Sequence, residues 1–315
     1  MSDRIVHAAV VQAGSLLYDT PRTLVKMADL AADAARKGAE VVLFPEAFVG
    51  GYPKGIDFGS RVGTRSDEGR REFARYFDSA VSLQGEGAEA IGAIARDNAI
   101  TLVTGVIERV GSTLYCSAAT FNPAGELINL HRKLMPTAHE RIIWGQGDGS
   151  TIKVVDSPVG RIGSVICWEN YMPLLRMAMY AQGIEIYCAP TVDSRESWLP
   201  SMRMIALEGR CFVLSASQFF RRADCPPDYN PMQGNDPETV LINGGACIID
   251  PMGRVLVEPV FDCERIAHAE LDMSLIPQGK FDLDVAGHYA RPDVFRFSVD
   301  TTPKLAVRFD QGAAE

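Results

Sequence analysis

The sequence has no run of about 18 apolar residues, so no membrane span is expected. It lacks a C-x-x-C pair, and "HERII" at 139–143 lacks the second histidine of an H-E-x-x-H site; with only five scattered histidines, no metal is expected. No G-x-x-x-x-G-K-[ST] loop occurs and no G-x-G-x-x-G follows a strand, so no phosphate-binding loop is expected. Lysine and arginine form no dense stripe, net charge is −9 and the pI is near 5.2. That balance argues against nucleic acid and anionic membrane as partners and favours a small, uncharged ligand. The seven cysteines, at 116, 167, 188, 211, 225, 247 and 263, are an odd set without disulfide spacing. Reduced thiols and an N-terminus, "MSDRIVHAAVVQAG", unlike a secretory signal point to the cytoplasm.

What is present is an alternation of strands and helices. "IVHAAVVQ" has strand length and β-branched residues, and "TPRTLVKMADLAADAARKG" follows as a helix with Thr20 as N-cap, Pro21 at its first position and Gly38 ending it. "VVLFPEAF" is apolar almost throughout, as a strand buried on both faces would be. Further strands and helices follow to about residue 272, with no linker between them, which favours one α/β domain over 1–290 and a tail over 291–315. Residues 52–73 look like a long polar connection, and 221–238, with four prolines, like an exposed excursion.

Three polar residues stand where apolar strands end. Cys167, in "GSVICWENYM", closes one strand at a turn into a helix, where N–H groups would favour a thiolate and the Trp168 N–H would face a developing anion. Taken alone it is more simply a small core filler. Glu46 leaves "LFPEAF", where desolvation would raise its pKa toward that of a general base. Lys133 leaves "LINLHRK" and could neutralise charge on a substrate. Glu46 and Lys133, each taken alone, are more simply capping or surface charges at strand ends; together with the cysteine they form the nucleophile, base and electrophile set of covalent hydrolysis.

"LFPEAF", "HRKLMPTAHERIIWGQGDGST" and "ICWENYMPLLR", in this order and at these separations, resemble the nitrilase superfamily, and within it the true nitrilase branch of plants and bacteria. The similarity runs over nearly the whole chain. It implies a four-layer αββα sandwich and hydrolysis of an organic nitrile without a cofactor, with Cys167 as nucleophile, Glu46 as base, Lys133 as stabilising cation and Glu140 as a supporting carboxylate. An amidase or carbamoyl hydrolase, a cyanide or β-cyanoalanine specialist, and a scaffold with a vestigial site are the alternatives. Tyr52, Trp144, Trp168 and Thr191 are expected near the substrate, with His131 and Arg132 buttressing Lys133. The cysteines at 116, 188, 211 and 247 are expected as buried fillers, and Cys225 and Cys263 at the periphery. The resemblance also implies a homo-oligomer with a dimer as building block, extended in many relatives into a spiral or filament. Pairing would run through helices near 171–182 and 195–209, the latter with exposed-looking Trp198, Leu199, Met202 and Met204, and the tail would lie at a subunit interface.

Overall fold

The structure is a computed structural model that describes residues 4–307. One six-stranded sheet carries, in spatial order, Arg265–Asp272, Ile5–Gln12, Val41–Leu43, Thr101–Val110, Thr113–Phe121 and Leu127–Arg132. Its three central strands are parallel and its flanks antiparallel. The second sheet orders Val255–Val257, Cys247–Ile249, Phe212–Ser215, Ile186–Cys188, Gly160–Ser164 and Val155–Ser157, again with three parallel strands in the middle.

The side-chain period of two explains the layering. Val41 and Leu43 face the other sheet, where they join Ile162, Ile186 and Phe212, while Val42 faces outward against Met27 and Ala31 of the helix Thr20–Arg36. In the second sheet Val213 and Ile249 face outward onto Met179 of the helix Pro173–Ala181 and Met202 of Trp198–Gly209. Each sheet therefore has one face on its partner and one under helices, the expected αββα sandwich. Among the described residues no helix is long and apolar enough to cross a membrane.

Several local expectations need correction. The first helix is capped by Asp19, whose carboxylate accepts the Arg22 N–H at 3.1 Å; Thr20 is already helical and its hydroxyl donates to the Ser79 carbonyl. Residues 52–73 are not one loop, because a small hairpin, Ser60–Arg61 with Thr64–Arg65, leads into a helix Asp67–Ser79. That helix buries only Gly69, Tyr76 and Ser79, too little apolar surface to give a recognisable stripe. The 221–238 excursion is the loop of a two-stranded ribbon, Phe219–Arg221 with Val240–Asn243, pinned by Tyr229, whose hydroxyl donates to the Lys54 carbonyl at 2.6 Å. Cys225 is buried in the same region rather than peripheral. Trp198 and Met202 face the core, with the indole N–H donating to Ser215 Oγ at 2.9 Å, so only Met204 of that set is strongly exposed. A last helix, Leu275–Asp282, was not expected. Residues 283–307 form no helix or strand, and 308–315 of the expected tail lie outside the described residues.

One close approach fixes the first catalytic candidate. After Leu43 the chain leaves the ladder, and Pro45 O and Val49 N are both bonded to Gly105 of the neighbouring strand. A Cβ on Gly105 would fall 2.4 Å from Ala47 N and Pro45 O and 2.6 Å from Glu46 Cα. Gly105→Ala should therefore displace the Glu46 turn and destabilise the fold by about 1–3 kcal/mol, as overpacking does, read from the denaturant midpoint at unchanged m.

Candidate active site

Glu46, Lys133 and Cys167 converge at the ends of strands from both sheets. Lys133 adds one rung to Leu127–Arg132, its N–H donating to the Cys116 carbonyl at 2.8 Å. Its side chain is fully buried, and Nζ donates to Glu46 Oε1 at 2.7 Å and Glu140 Oε2 at 2.8 Å. Glu140, at the start of the short helix Glu140–Ile143, also accepts the Thr137 N–H and the Tyr52 hydroxyl, each at 2.6 Å. Glu46 is held from behind by Gln218, whose amide donates to the Glu46 carbonyl at 2.8 Å.

Cys167 opens a turn, Cys167–Tyr171, after the strand Gly160–Ser164. Its φ of +50° is uncommon for a residue with a Cβ and marks an enforced backbone. The enforcing bonds are visible: Cys167 N–H donates to the Pro190 carbonyl at 2.9 Å, and Asn170 Nδ2 donates to the carbonyls of Val165 and Cys167 at 2.9 and 2.8 Å. Thr191 lies on the sulfur itself. Its hydroxyl accepts the Asp193 N–H at 2.9 Å, which leaves its proton to donate to Cys167 Sγ at 3.2 Å.

Electrostatics differ from the sequence expectation at one point. Burial, and then the neighbouring Glu46 carboxylate, push the Cys167 thiol well up, so it rests protonated. The turn is too short, and the carboxylate too close, for helix-start N–H groups to prevail. Burial likewise raises Glu46, and the Glu140 carboxylate adds to the rise against the pull of Lys133. Burial alone would lower Lys133, but Glu46 and the other anionic partners outweigh it and hold the ammonium charged. Glu46 Oε2 is buried with no hydrogen-bond partner, an unused acceptor beside the thiol.

A cavity of about 270 Å³ opens onto Cys167 between Tyr52, Lys54, Trp168 and Arg195. A second, of about 300 Å³, shares Tyr52, Lys54, Thr137 and Glu140 and extends to Ile56 and Trp144. Tyr52 and Trp144 meet edge to face at 5.7 Å, and Lys133 Nζ lies 5.6 Å from the Trp144 ring centroid. Trp168 is at the mouth, its indole N–H donating to Asp193 at 2.9 Å with Arg195 stacked on the ring. Tyr52, Trp144 and Trp168 thus line the cavities, whereas Thr191 serves the sulfur more than the wall. Among the described residues no cluster of His, Cys, Asp and Glu is arranged to hold a metal.

The side chains of Arg132 and His131 make no hydrogen bond to Lys133 Nζ. Arg132 forks onto Glu108, at 2.7 and 2.8 Å, and His131 pairs with Glu169 at 3.0 Å. Two participants were missed. Cys116, taken as filler, points its thiol at Glu46 Oε1 at 3.6 Å, and nothing in "LYCSAATF" signals that. Glu169, two residues after the sulfur, had a signal: an acidic residue in an apolar turn that is now 1% exposed.

Fold and site together define a hydrolase class with a cysteine, a lysine and paired carboxylates between two sheets. The carbon-nitrogen hydrolase profile matches residues 7–281. The chain is 54% identical over 300 residues to a nitrilase of Bradyrhizobium diazoefficiens, covering 95% of this chain and 94% of that one. It is 50% identical over 315 residues to a bifunctional nitrilase/nitrile hydratase of Lupinus angustifolius, covering 98% and 90%. Among solved structures, Saccharomyces cerevisiae Nit3, of the nitrilase superfamily, superposes with a TM-score of 0.70 at 19% identity, covering 91% and 97%. The chain belongs to the carbon-nitrogen hydrolase family.

The Thr191 contact is directly testable. Thr191→Val keeps the volume and removes the donor to sulfur, a contact of about 1–1.5 kcal/mol. Alkylation of Cys167 by iodoacetamide, localised by peptide mass, should slow roughly tenfold.

Proposed function

We propose that this protein hydrolyses an organic nitrile to the carboxylic acid and ammonia. The observation that carries the reading is the contact of one buried ammonium with two carboxylates beside a cysteine sulfur, in a chain half identical to proteins named nitrilases.

In the mechanism, Cys167 gives its proton to Glu46 as sulfur adds to the nitrile carbon, and Glu46 passes that proton on to the nitrogen, which gives a thioimidate and returns Glu46 to its carboxylate form. Glu46 then accepts a proton from water as the water adds to that carbon. The tetrahedral intermediate expels ammonia and leaves a thioester, which a second water hydrolyses to release the acid and restore the thiol. Lys133 and the Trp168 N–H meet the charge that builds in each addition. Glu140 orients Lys133, and Tyr52 orients Glu140. When the tetrahedral intermediate loses sulfur instead of ammonia, the product is the amide, and the lupin relative's description as a nitrilase/nitrile hydratase favours a fraction of that product. Dimerisation through the Pro173–Ala181 and Trp198–Gly209 helices, whose outer sides expose Leu174 and Met204, extends the reading, with residues 291–307 at the subunit interface and a spiral or filament as the larger form. The free thiols fit a reducing cytoplasm.

Ammonia release from a panel of nitriles, with the matched amides alongside, tests the activity. The expected result is turnover of nitriles, loss of it in Cys167→Ala, and a covalent adduct on Cys167 with a slow nitrile by intact and peptide mass. Turnover of amides alone would replace this reading with an amidase.

The pH profile tests the charge arrangement. Because Glu140 raises Glu46, Glu140→Gln should lower the Glu46 pKa. Glu46 works as a base only when ionised, so activity falls as pH drops through its pKa. The acid limb of kcat/KM should therefore move to lower pH in Glu140→Gln, while kcat falls about 10–100-fold from the loosened Lys133.

A further inference from the structure

Glu169 is almost completely buried and makes no contact with the cavity, yet both of its oxygens are fully used. Oε1 accepts the Leu134 N–H at 2.6 Å, and Oε2 accepts the Ile166 N–H at 3.0 Å. His131 Nε2 lies across both oxygens, at 3.3 and 3.0 Å. Leu134 follows Lys133 in the chain, His131 precedes it by two residues, and Ile166 is the residue before Cys167. One carboxylate thus grips the backbone beside the lysine, which belongs to the first sheet, and the backbone beside the cysteine, which belongs to the second.

We propose that Glu169 is a positioning residue that sets the separation of the Lys133 ammonium and the Cys167 sulfur, an inference that rests on the catalytic roles given above. A simple cap of the Cys167–Tyr171 turn would need only the Ile166 N–H. The contacts to Leu134 and His131 cross between sheets and have no part in capping. His131 is fixed in turn by the Thr151 carbonyl, 3.2 Å from Nδ1. Burial opposes a charge on the ring, but the Glu169 carboxylate outweighs it and raises the His131 pKa. The result is a closed hydrogen-bonded bridge whose geometry has little freedom to relax.

The test compares full-length wild type, Glu169→Gln and Glu169→Asp. Gln offers one carbonyl oxygen and turns an NH2 toward a backbone N–H, so one side of the grip is released. Asp keeps the charge and both acceptors on a shorter arm. Two rates are read: alkylation of Cys167 by iodoacetamide, and kcat on a nitrile turned over by wild type, divided by the fraction of molecules that form the Cys167 adduct. For Glu169→Gln both should fall roughly 10–100-fold with KM within about twofold, and Glu169→Asp should recover part of the loss. A structural role alone would reduce the fraction of competent sites and leave kcat per site at the wild-type value. That outcome, or alkylation as fast as wild type, overturns the proposal. Should Glu169→Gln fail to fold, His131→Asn carries the test, with about 3–10-fold losses expected in the same two rates and unchanged rates counting against it. Absence of nitrile turnover in wild type would defeat the proposed activity, and the alkylation rates would still decide the role of Glu169.

Discussion

The site depends on one fully buried ammonium and its two carboxylates. Moving the Lys133 charge out of water without partners would cost several kcal/mol, and the contacts at 2.7 and 2.8 Å offset that cost. Two carboxylates on one cation leave an excess negative charge, however, and this surplus shapes everything around it. Glu140 disperses its share onto the Tyr52 hydroxyl and the Thr137 N–H. Besides Lys133, Glu46 has only the weak Cys116 and Cys167 thiols beside it, and Oε2 accepts no hydrogen bond. The two acids are therefore unequal by construction: Glu140 is a satisfied anchor, whereas Glu46, its pKa raised by burial and by the neighbour it shares the lysine with, suits the role of proton acceptor proposed for it.

The sandwich makes that arrangement rigid. Val41–Leu43 and Leu127–Arg132 run in the same direction, so Glu46 and Lys133 emerge at one edge of the first sheet, as Cys167 and Thr191 do from the parallel strands Gly160–Ser164 and Ile186–Cys188 of the second. The shared core of Val10, Leu43, Ile162, Ile186 and Phe212 holds the two edges together, and side chains on strand ends inherit the precision of the sheets. Loops supply the remainder, with Tyr52 and Trp144 on the first-sheet side of the cavity and Trp168, Asp193 and Arg195 on the other. Strand ends place the reacting atoms, while loop side chains shape the cavity that receives the substrate.

Much of this was legible in the sequence because residues 41–46 and 162–167 are buried throughout. Continuous apolar segments ending in Glu46 and Cys167 exposed those residues by contrast, while Lys133 follows a half-buried edge strand and was grouped with them by the motif around it. Elements with little apolar content were not legible in the same way. Asp67–Ser79 is polar almost throughout and declares itself only by Ser66, which caps the Gly69 N–H at 3.0 Å, and by Asp67 and Glu68 in its first turn. Burial of aromatic side chains was misjudged where helix faces were read without their neighbours, as at Trp198. Cross-sheet contacts such as Glu169 with Leu134, or Cys116 with Glu46, have no local pattern, since their partners lie 35 and 70 residues away.

The protonation state of Cys167 ties these strands of reasoning together. A cysteine at the start of a turn suggests a thiolate, yet a thiolate beside Glu46 would put a third anion on a single lysine in a largely buried site. Burial and that carboxylate keep the proton on sulfur instead. Oxidation follows thiolate character and exposure, so a neutral, buried thiol resists it while idle. In the mechanism proposed above the proton passes to the buried Glu46 carboxylate, which yields a neutral acid and a sulfur anion that Thr191 and Lys133 both stabilise. Total charge is unchanged by that step, which is why a desolvated site would tolerate it. On the proposed roles, nucleophile and base form a single titrating unit, activated when an electrophilic carbon arrives rather than by the resting environment of the cysteine.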